Sequence, residues 1–175
     1  MIINTRPKNL SQNITALCAK EKVDLTNLHL SKITPVSSKE VIESWRTNLE
    51  SLQSYSNIIF TSQASASYGL EILKTKIDLK KIQSNIFSIG LATKKIIEDK
   101  GMSSILPNQP SSEFLAELIL EEYPGRNLLF CGTNSNRTLQ NILKNNIDEI
   151  ACYDLIYSDF EVANVSQGPK IVLIY

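Results

Sequence analysis

Histidine and cysteine are scarce in this chain, and neither sign of charge is in excess. Its 175 residues contain one histidine, His29, and three cysteines, Cys18, Cys131 and Cys152, far apart and never in a CxxC pair. That spacing supports neither a disulfide framework nor a zinc site, and each cysteine reads as a small core residue. His29 lies in the apolar-alternating stretch VDLTNLHLSKI and reads as a half-buried strand residue, so chemistry built on paired histidines or a Cys–His couple has little to stand on. Eighteen Lys and Arg balance 18 Asp and Glu, interleaved along the chain. There is no basic stripe of the kind that polyanionic nucleic acid demands. No apolar run approaches the about 20 residues that a spanning helix needs. The opening MIINTRPKNL lacks the cationic start and apolar core of a secretory signal, so the expected compartment is cytoplasmic. GxGxxG, GxxxxGK[ST] and GxSxG are all missing, as are carboxylate pairs and metal-ligand clusters.

What is present is the composition of a globular protein, 42% hydrophobic and 21% charged, enough for one ordinary domain or two small ones. A short apolar strand, Met1 to Thr5, precedes Leu10, Ile14, Leu17 and Cys18 at helical spacing after a possible cap at Asn9. A second strand is expected over Val23 to Ile33, followed by a linker at Thr34 to Ser38 and a helix carrying Val41, Ile42, Trp45, Leu49 and Leu52. A domain boundary falls near Pro35. Beyond it, strands at NIIFT (Asn57 to Thr61), NIFSI (Asn85 to Ile89), Ser103 to Leu106 and NLLFC (Asn127 to Cys131) alternate with helical patterns, and Glu149 to Ile156 closes the block. Strand–helix alternation with short connections signals parallel strands crossed over by helices, hence an α/β fold of flavodoxin-like or Rossmann-like type. The final run, Ile171 to Tyr175, reads as a central parallel strand that nothing follows.

Each strand end delivers small polar residues to a helix start: Thr5-Arg6-Pro7, Thr61 to Ser65, Gly90 to Thr93, Pro110-Ser111-Ser112 and Gly132 to Ser135. One such loop is ordinary capping. Five of them on the carboxyl edge of a parallel sheet, where helix N–H groups and dipoles converge, point to a ligand with several acidic groups. Thr61, Ser62, Gly90, Ser111 and Ser112 are candidate contacts. Arg6 and Arg137 present forked donors suited to carboxylates, although a solvated surface role suits each equally. Tyr153 ends the last full strand, where its hydroxyl could reach the cleft or its ring could serve packing alone.

The ordered set INTRP (Ile3 to Pro7), ITP (Ile33 to Pro35), IIFTSQASA (Ile58 to Ala66), FSIGLAT (Phe87 to Thr93), PSSEFLAEL (Pro110 to Leu118), LLFCGTNSNRTL (Leu128 to Leu139) and EIACYDLIY (Glu149 to Tyr157) resembles the uroporphyrinogen-III synthase family. The resemblance implies two lobes of parallel sheet flanked by helices. It also implies a cofactor-free and metal-free lyase that closes hydroxymethylbilane, a linear tetrapyrrole with eight carboxylates, into uroporphyrinogen III with inversion of the last ring and loss of water. Tyr153 matches the tyrosine that assists departure of the hydroxyl. Ser62, Ala64, Thr93, Ser112 and Gly132 match loops that contact the acidic arms, largely through main-chain groups. Against the family pattern the first lobe (1–34 plus 169–175) would be discontinuous and incomplete, the second would span 35–158, and 159–168 would be a return linker. The expectation is a monomeric synthase shortened at its C-terminus, with impaired activity. The competing expectation is a non-catalytic α/β module that binds an acidic small molecule, and a flavodoxin-like phosphate site confined to Gly132 to Ser135 is a third.

Overall fold

A computed structural model describes residues 1–157 and 171–173. The chain divides into two compact units, Met1–Thr34 with Leu155–Tyr175 (unit 1) and Pro35–Asp154 (unit 2). The return linker expected over 159–168 lies outside the described residues.

Unit 1 carries strands β1 (Ile2–Asn4), β2 (Leu25–Asn27) and β8 (Ile171–Leu173) in the order β2-β1-β8, with both pairings parallel, and helix α1 (Gln12–Lys20). Three expectations are corrected here. The single strand over Val23 to Ile33 is two short ones, β2 and β3 (Ser31–Pro35), and His29 sits in the connection between them. The Leu28 N–H donates to the Asn4 carbonyl (2.8 Å), the last rung that this stretch makes with β1. Asn9 lies within a 3-10 turn, Lys8–Leu10, and Ser11 is the residue that precedes α1. Finally, the last apolar run is not central: among the described residues β8 ends its sheet beside β1, and Ile171 and Val172 are exposed.

The larger sheet has the order β3-β7-β6-β4-β5, with β4 (Asn57–Phe60), β5 (Asn85–Ser88), β6 (Asn127–Gly132) and β7 (Ile147–Tyr157) parallel to their neighbours within unit 2. Every residue of β4 and β6 is buried, which explains why both read as unbroken apolar runs after a leading Asn. Period-two alternation sends Ile58, Phe60, Leu128 and Phe130 to one face, packed with residues of α2 (Lys39–Glu50), α3 (Gln63–Lys74) and α4 (Leu91–Glu98). Ile59, Phe87, Leu129 and Cys131 go to the other face, against α5 (Ser112–Glu122) and α6 (Thr138–Leu143). The strand expected at Ser103 to Leu106 is only an isolated bridge, Phe87 to Ile105. Two backbone bonds hold it, Ser88 N–H to Ile105 O and Ile105 N–H to Ile86 O, and Pro107 follows at once without a donor to extend them.

Register at the amino edge is pinned by an asparagine ladder. Asn57 pairs with Asn85 on one side and Asn127 on the other. Asn57 Nδ2 donates to Asn127 Oδ1 (2.9 Å) and Asn85 Nδ2 donates to Asn57 Oδ1 (3.1 Å). Because Asn57 and Asn127 are wholly or almost wholly buried, a slip by one residue would leave these amides unpaired in an apolar layer.

Candidate functional site

The chain runs from β4 to β5 on one side and then to β6 on the other side of β4, so strand order reverses between β4 and β6. At such a switch point the flanking helices leave by opposite faces and open a crevice beyond the carboxyl ends of the strands. The structure has a cavity of about 240 Å³ there, walled by Thr61, Ile89, Cys131, Ser135, Asn136 and Tyr153, with Ser112, Leu129, Leu139 and Gln140 completing it.

Tyr153 is placed by features of both its own strand and β6. Register shifts between Cys131 and Gly132, so that Gly132 faces Tyr153 while Cys131 faces Ala151. The bulge re-aims the tyrosine. A Cβ on Gly132 would sit 2.8 Å from two carbons of the Tyr153 ring, so only glycine leaves room for it. The Thr133 N–H donates to the Tyr153 carbonyl (3.0 Å), and the Thr133 hydroxyl donates to Asp154 Oδ1 (2.7 Å). The ring stacks on Tyr68 of α3, with centroids 6.4 Å apart, and its hydroxyl lies 3.3 Å from Ser62 Oγ.

Ser62 is also the cap of α3, in a capping box. Its Oγ accepts the Ser65 N–H (3.1 Å) and its own N–H donates to Ser65 Oγ (2.9 Å). The amides of Gln63 and Ala64 have no partner among the described residues. Ser111 caps α5 by accepting the Phe114 N–H (3.3 Å), which leaves the Ser112 and Glu113 amides open among the described residues. Gly90 begins α4 without a side-chain cap, and nothing lies within 4 Å of where its Cβ would be. The Leu91 and Ala92 amides likewise find no partner among the described residues. Three helix starts thus offer main-chain donors with favourable dipoles.

Of the residues expected from sequence, Thr61, Ser112 and Tyr153 line the cavity, Ser62 reaches the Tyr153 hydroxyl, and Gly132 packs under its ring. Ala64, Gly90 and Ser111 sit at helix starts without lining the cavity. Thr93 is buried in the first turn of α4, where its N–H donates to the Gly90 carbonyl. Arg6 belongs to unit 1. Arg137 is committed elsewhere: its Nη1 lies 2.8 Å from both carboxylate oxygens of Glu149, and Gln140 Nε2 donates to Glu149 Oε2 (2.8 Å). Burial alone would raise the Glu149 pKa, but the bonds from Gln140 and Arg137 outweigh it and hold the group below its ordinary value. Burial pushes the Cys131 thiol up and the Cys152 thiol to about 12, so neither is a ready nucleophile. Sequence reasoning missed Tyr68 and Gln140, which occupy helix interiors where pattern marks no function. Ser135 ends the Gly132 to Ser135 loop that the sequence marked, and Asn136 lies just beyond it, where nothing distinguished it from its neighbours.

Among the described residues there is no group of three or more His, Cys, Asp or Glu able to hold a metal ion, and no helix is long and apolar enough to cross a membrane.

The model of the family described as uroporphyrinogen-III synthase HemD matches residues 13–169. No curated protein matches the sequence significantly. Among solved structures, a mutant uroporphyrinogen III synthase from the extremely thermophilic bacterium Thermus thermophilus aligns with a TM-score of 0.65 at 15% identity, covering 90% of this chain and 63% of that one. The synthetase from Helicobacter pylori aligns with a TM-score of 0.57 at 18% identity, covering 93% and 64%. These likenesses show a shared fold, and this chain spans less than two thirds of the length of either structure.

Proposed function

Because this chain belongs to the uroporphyrinogen-III synthase family, we propose that it cyclises hydroxymethylbilane to uroporphyrinogen III with inversion of the last ring and release of water. The observation that carries this reading is the Tyr153 hydroxyl, fixed by Gly132 beneath its ring and by Ser62 at its tip, on the wall of a cavity at the switch point of the sheet. Ser62 Oγ already accepts the Ser65 amide, which favours its own O–H as the donor to Tyr153 Oη. In that arrangement Tyr153 donates its phenolic proton to the departing hydroxyl of the substrate. The C–O bond breaks as the pyrrole nitrogen lone pair supplies electrons, and the oxygen leaves as water. Ring closure at the substituted carbon, fragmentation and reclosure then invert the ring. The open amides at the starts of α3, α4 and α5 suit carboxylate arms and hold the flexible chain in one folded conformation. The proposal includes a monomeric protein in the cytoplasm that needs no cofactor or metal.

Tyr153→Phe tests it. The variant keeps the ring and its stack on Tyr68 while removing the proton donor. Its consumption of hydroxymethylbilane should be slower by about 10²- to 10⁴-fold, the usual range for loss of a general acid. An unchanged rate would take Tyr153 out of the mechanism. The same open amides would serve a non-catalytic module for an acidic small molecule, and saturable binding without turnover by the unmodified chain would favour that second reading.

A further inference from the structure

The Tyr153 cavity lies at the carboxyl edge of the larger sheet. At the amino edge, the segments that lead into β4 and β5 enclose a cavity of about 750 Å³, all of it within unit 2. Ser84 Oγ donates to the Tyr55 carbonyl (2.7 Å) and the Asn85 N–H donates to the Ser56 carbonyl (2.9 Å), so the two segments are tied together and the cavity is formed in advance of any ligand. Leu52, Tyr55, Ile77 and Ile82 give it apolar walls. The Tyr55 hydroxyl is engaged by Asp148 Oδ2 (3.0 Å), which also takes Arg126 (2.7 Å), so both of those charges are spent on each other. Size and lining fall in the range of small-molecule sites, roughly 300–1,000 Å³ with apolar walls and a few polar groups.

The charge on these walls is of one sign: Lys80 and Lys81 line the cavity, and no Asp or Glu does. The two lysines are consecutive in a 3-10 turn, Leu79–Lys81, which Asp78 caps by accepting the Lys80 N–H (3.1 Å) and which Leu79 anchors in the core. Lys74 and Lys100 both pair with Glu71, whereas no carboxylate among the described residues pairs with Lys80 or Lys81. On the same walls the Ser56 hydroxyl and the Gln83 and Ser84 amides have no partner among the described residues. Two neighbouring ammonium groups repel each other until a doubly charged anion sits between them. An ammonium is a compact point charge that suits the tetrahedral oxygens of a phosphate, while a planar carboxylate is matched best by an arginine fork, and no arginine lines the cavity. We infer that this cavity is a ligand site of unit 2 for a phosphate monoester on an apolar organic body, with the phosphate on Lys80 and Lys81 and the body against Leu52, Ile77 and Ile82. The site is separate from the reaction proposed above and does not depend on it.

The probe is 1-naphthyl phosphate, doubly charged well above a second phosphate pKa of about 6, titrated into the ¹⁵N-labelled 175-residue chain. Saturable shifts are expected at the amides of Gln53, Ser56, Gln83 and Ser84. Inorganic phosphate, which lacks the body, and 1-naphthol, which lacks the charge, should each bind at least roughly tenfold more weakly, and 1-naphthoate, with one carboxylate in place of the phosphate, should also fall behind. Lys80→Gln and Lys81→Gln should each weaken the phosphate probe roughly tenfold, the loss of one charge-assisted hydrogen bond. Lys76→Gln removes the same charge from an exposed residue outside the lining and should leave affinity unchanged. All three side chains are exposed, so folding is not at stake. Equal losses for Lys76→Gln and Lys81→Gln would show diffuse attraction and overturn the site, and naphthoate binding as tightly as the phosphate would overturn its ligand class. Shifts confined to Thr61, Ser112 and Tyr153, or no saturable shift at all, would overturn the inference outright, and none of these results bears on the proposed function.

Discussion

An alanine at position 132 would place its Cβ 2.8 Å from two carbons of the Tyr153 ring and 3.2 Å from its hydroxyl oxygen. The ring cannot stay where it is, and its tip must leave Ser62. Gly132→Ala should therefore lower kcat for hydroxymethylbilane by roughly tenfold or more, since small misplacements of a catalytic group are costly. KM should move less, because the open helix amides that follow Ser62, Gly90 and Ser111 are untouched. Steady-state kinetics with a far-UV circular dichroism control reads both, and equal kcat values would show that the tyrosine's placement is not what Gly132 supplies. Nothing in the sequence marks this glycine as a platform rather than a turn. The dependence exists only because the bulge between Cys131 and Gly132 brings Tyr153 opposite it. Arg137 is the converse case, a plausible carboxylate binder in the sequence that Glu149 occupies in the structure. That pair also predicts a pH effect. Glu149 is held below its ordinary value, so its contribution to stability is complete above the unfolded carboxylate range, about pH 4.3, and is lost as pH falls below it. Urea unfolding of Glu149→Gln and the unmodified chain should differ at pH 6 and converge toward pH 3. A constant difference would mean that the pair acts through packing alone.

At the scale of elements, α3 shows how closely a helix can approach this sheet. A Cβ on Gly69 would lie 2.6 Å from Phe130 Cδ1 and 2.8 Å from Phe60 Cε1, two rings stacked at 5.1 Å in a fully buried layer. Glycine to alanine within a helix normally stabilises by about 0.5–1 kcal/mol. Gly69→Ala should reverse that sign and destabilise by roughly 1–3 kcal/mol, as overpacking does. Denaturant unfolding measures it, and a stabilised variant would contradict the close packing described. The strands at Asn57 and Asn127 were legible because burial on both faces makes each an unbroken apolar run after its Asn, whereas Ser103 to Leu106, also expected as a strand, makes only one bridge. The difference lies in Pro107 and in which neighbour's backbone is within reach, and only the second of these is invisible to the sequence. The stretch around His29 misled for a related reason: alternation continues through Leu28 and Leu30, but the chain leaves β1 after the Leu28 rung and enters a strand again only at Ser31.

At the scale of the molecule, the α/β class and the parallel pairing followed from strand–helix alternation, and the family resemblance from the order of short loop motifs, none decisive alone. The sequence could show that small polar residues precede each helix. It could not show that strand order reverses between β4 and β6, which is what gathers Thr61, Ser112 and Tyr153 around one cavity. Nor could it show that Thr93 points its amide back into its own helix turn. The central claim concerns which isomer is made, because hydroxymethylbilane left to itself closes without inversion. The most direct test is to incubate the 175-residue chain with fresh hydroxymethylbilane and measure the ratio of type III to type I uroporphyrinogen against a protein-free control. A clear excess of type III is the predicted result, and the type I product of the control, formed at the control's rate in the presence of folded protein, would contradict the account.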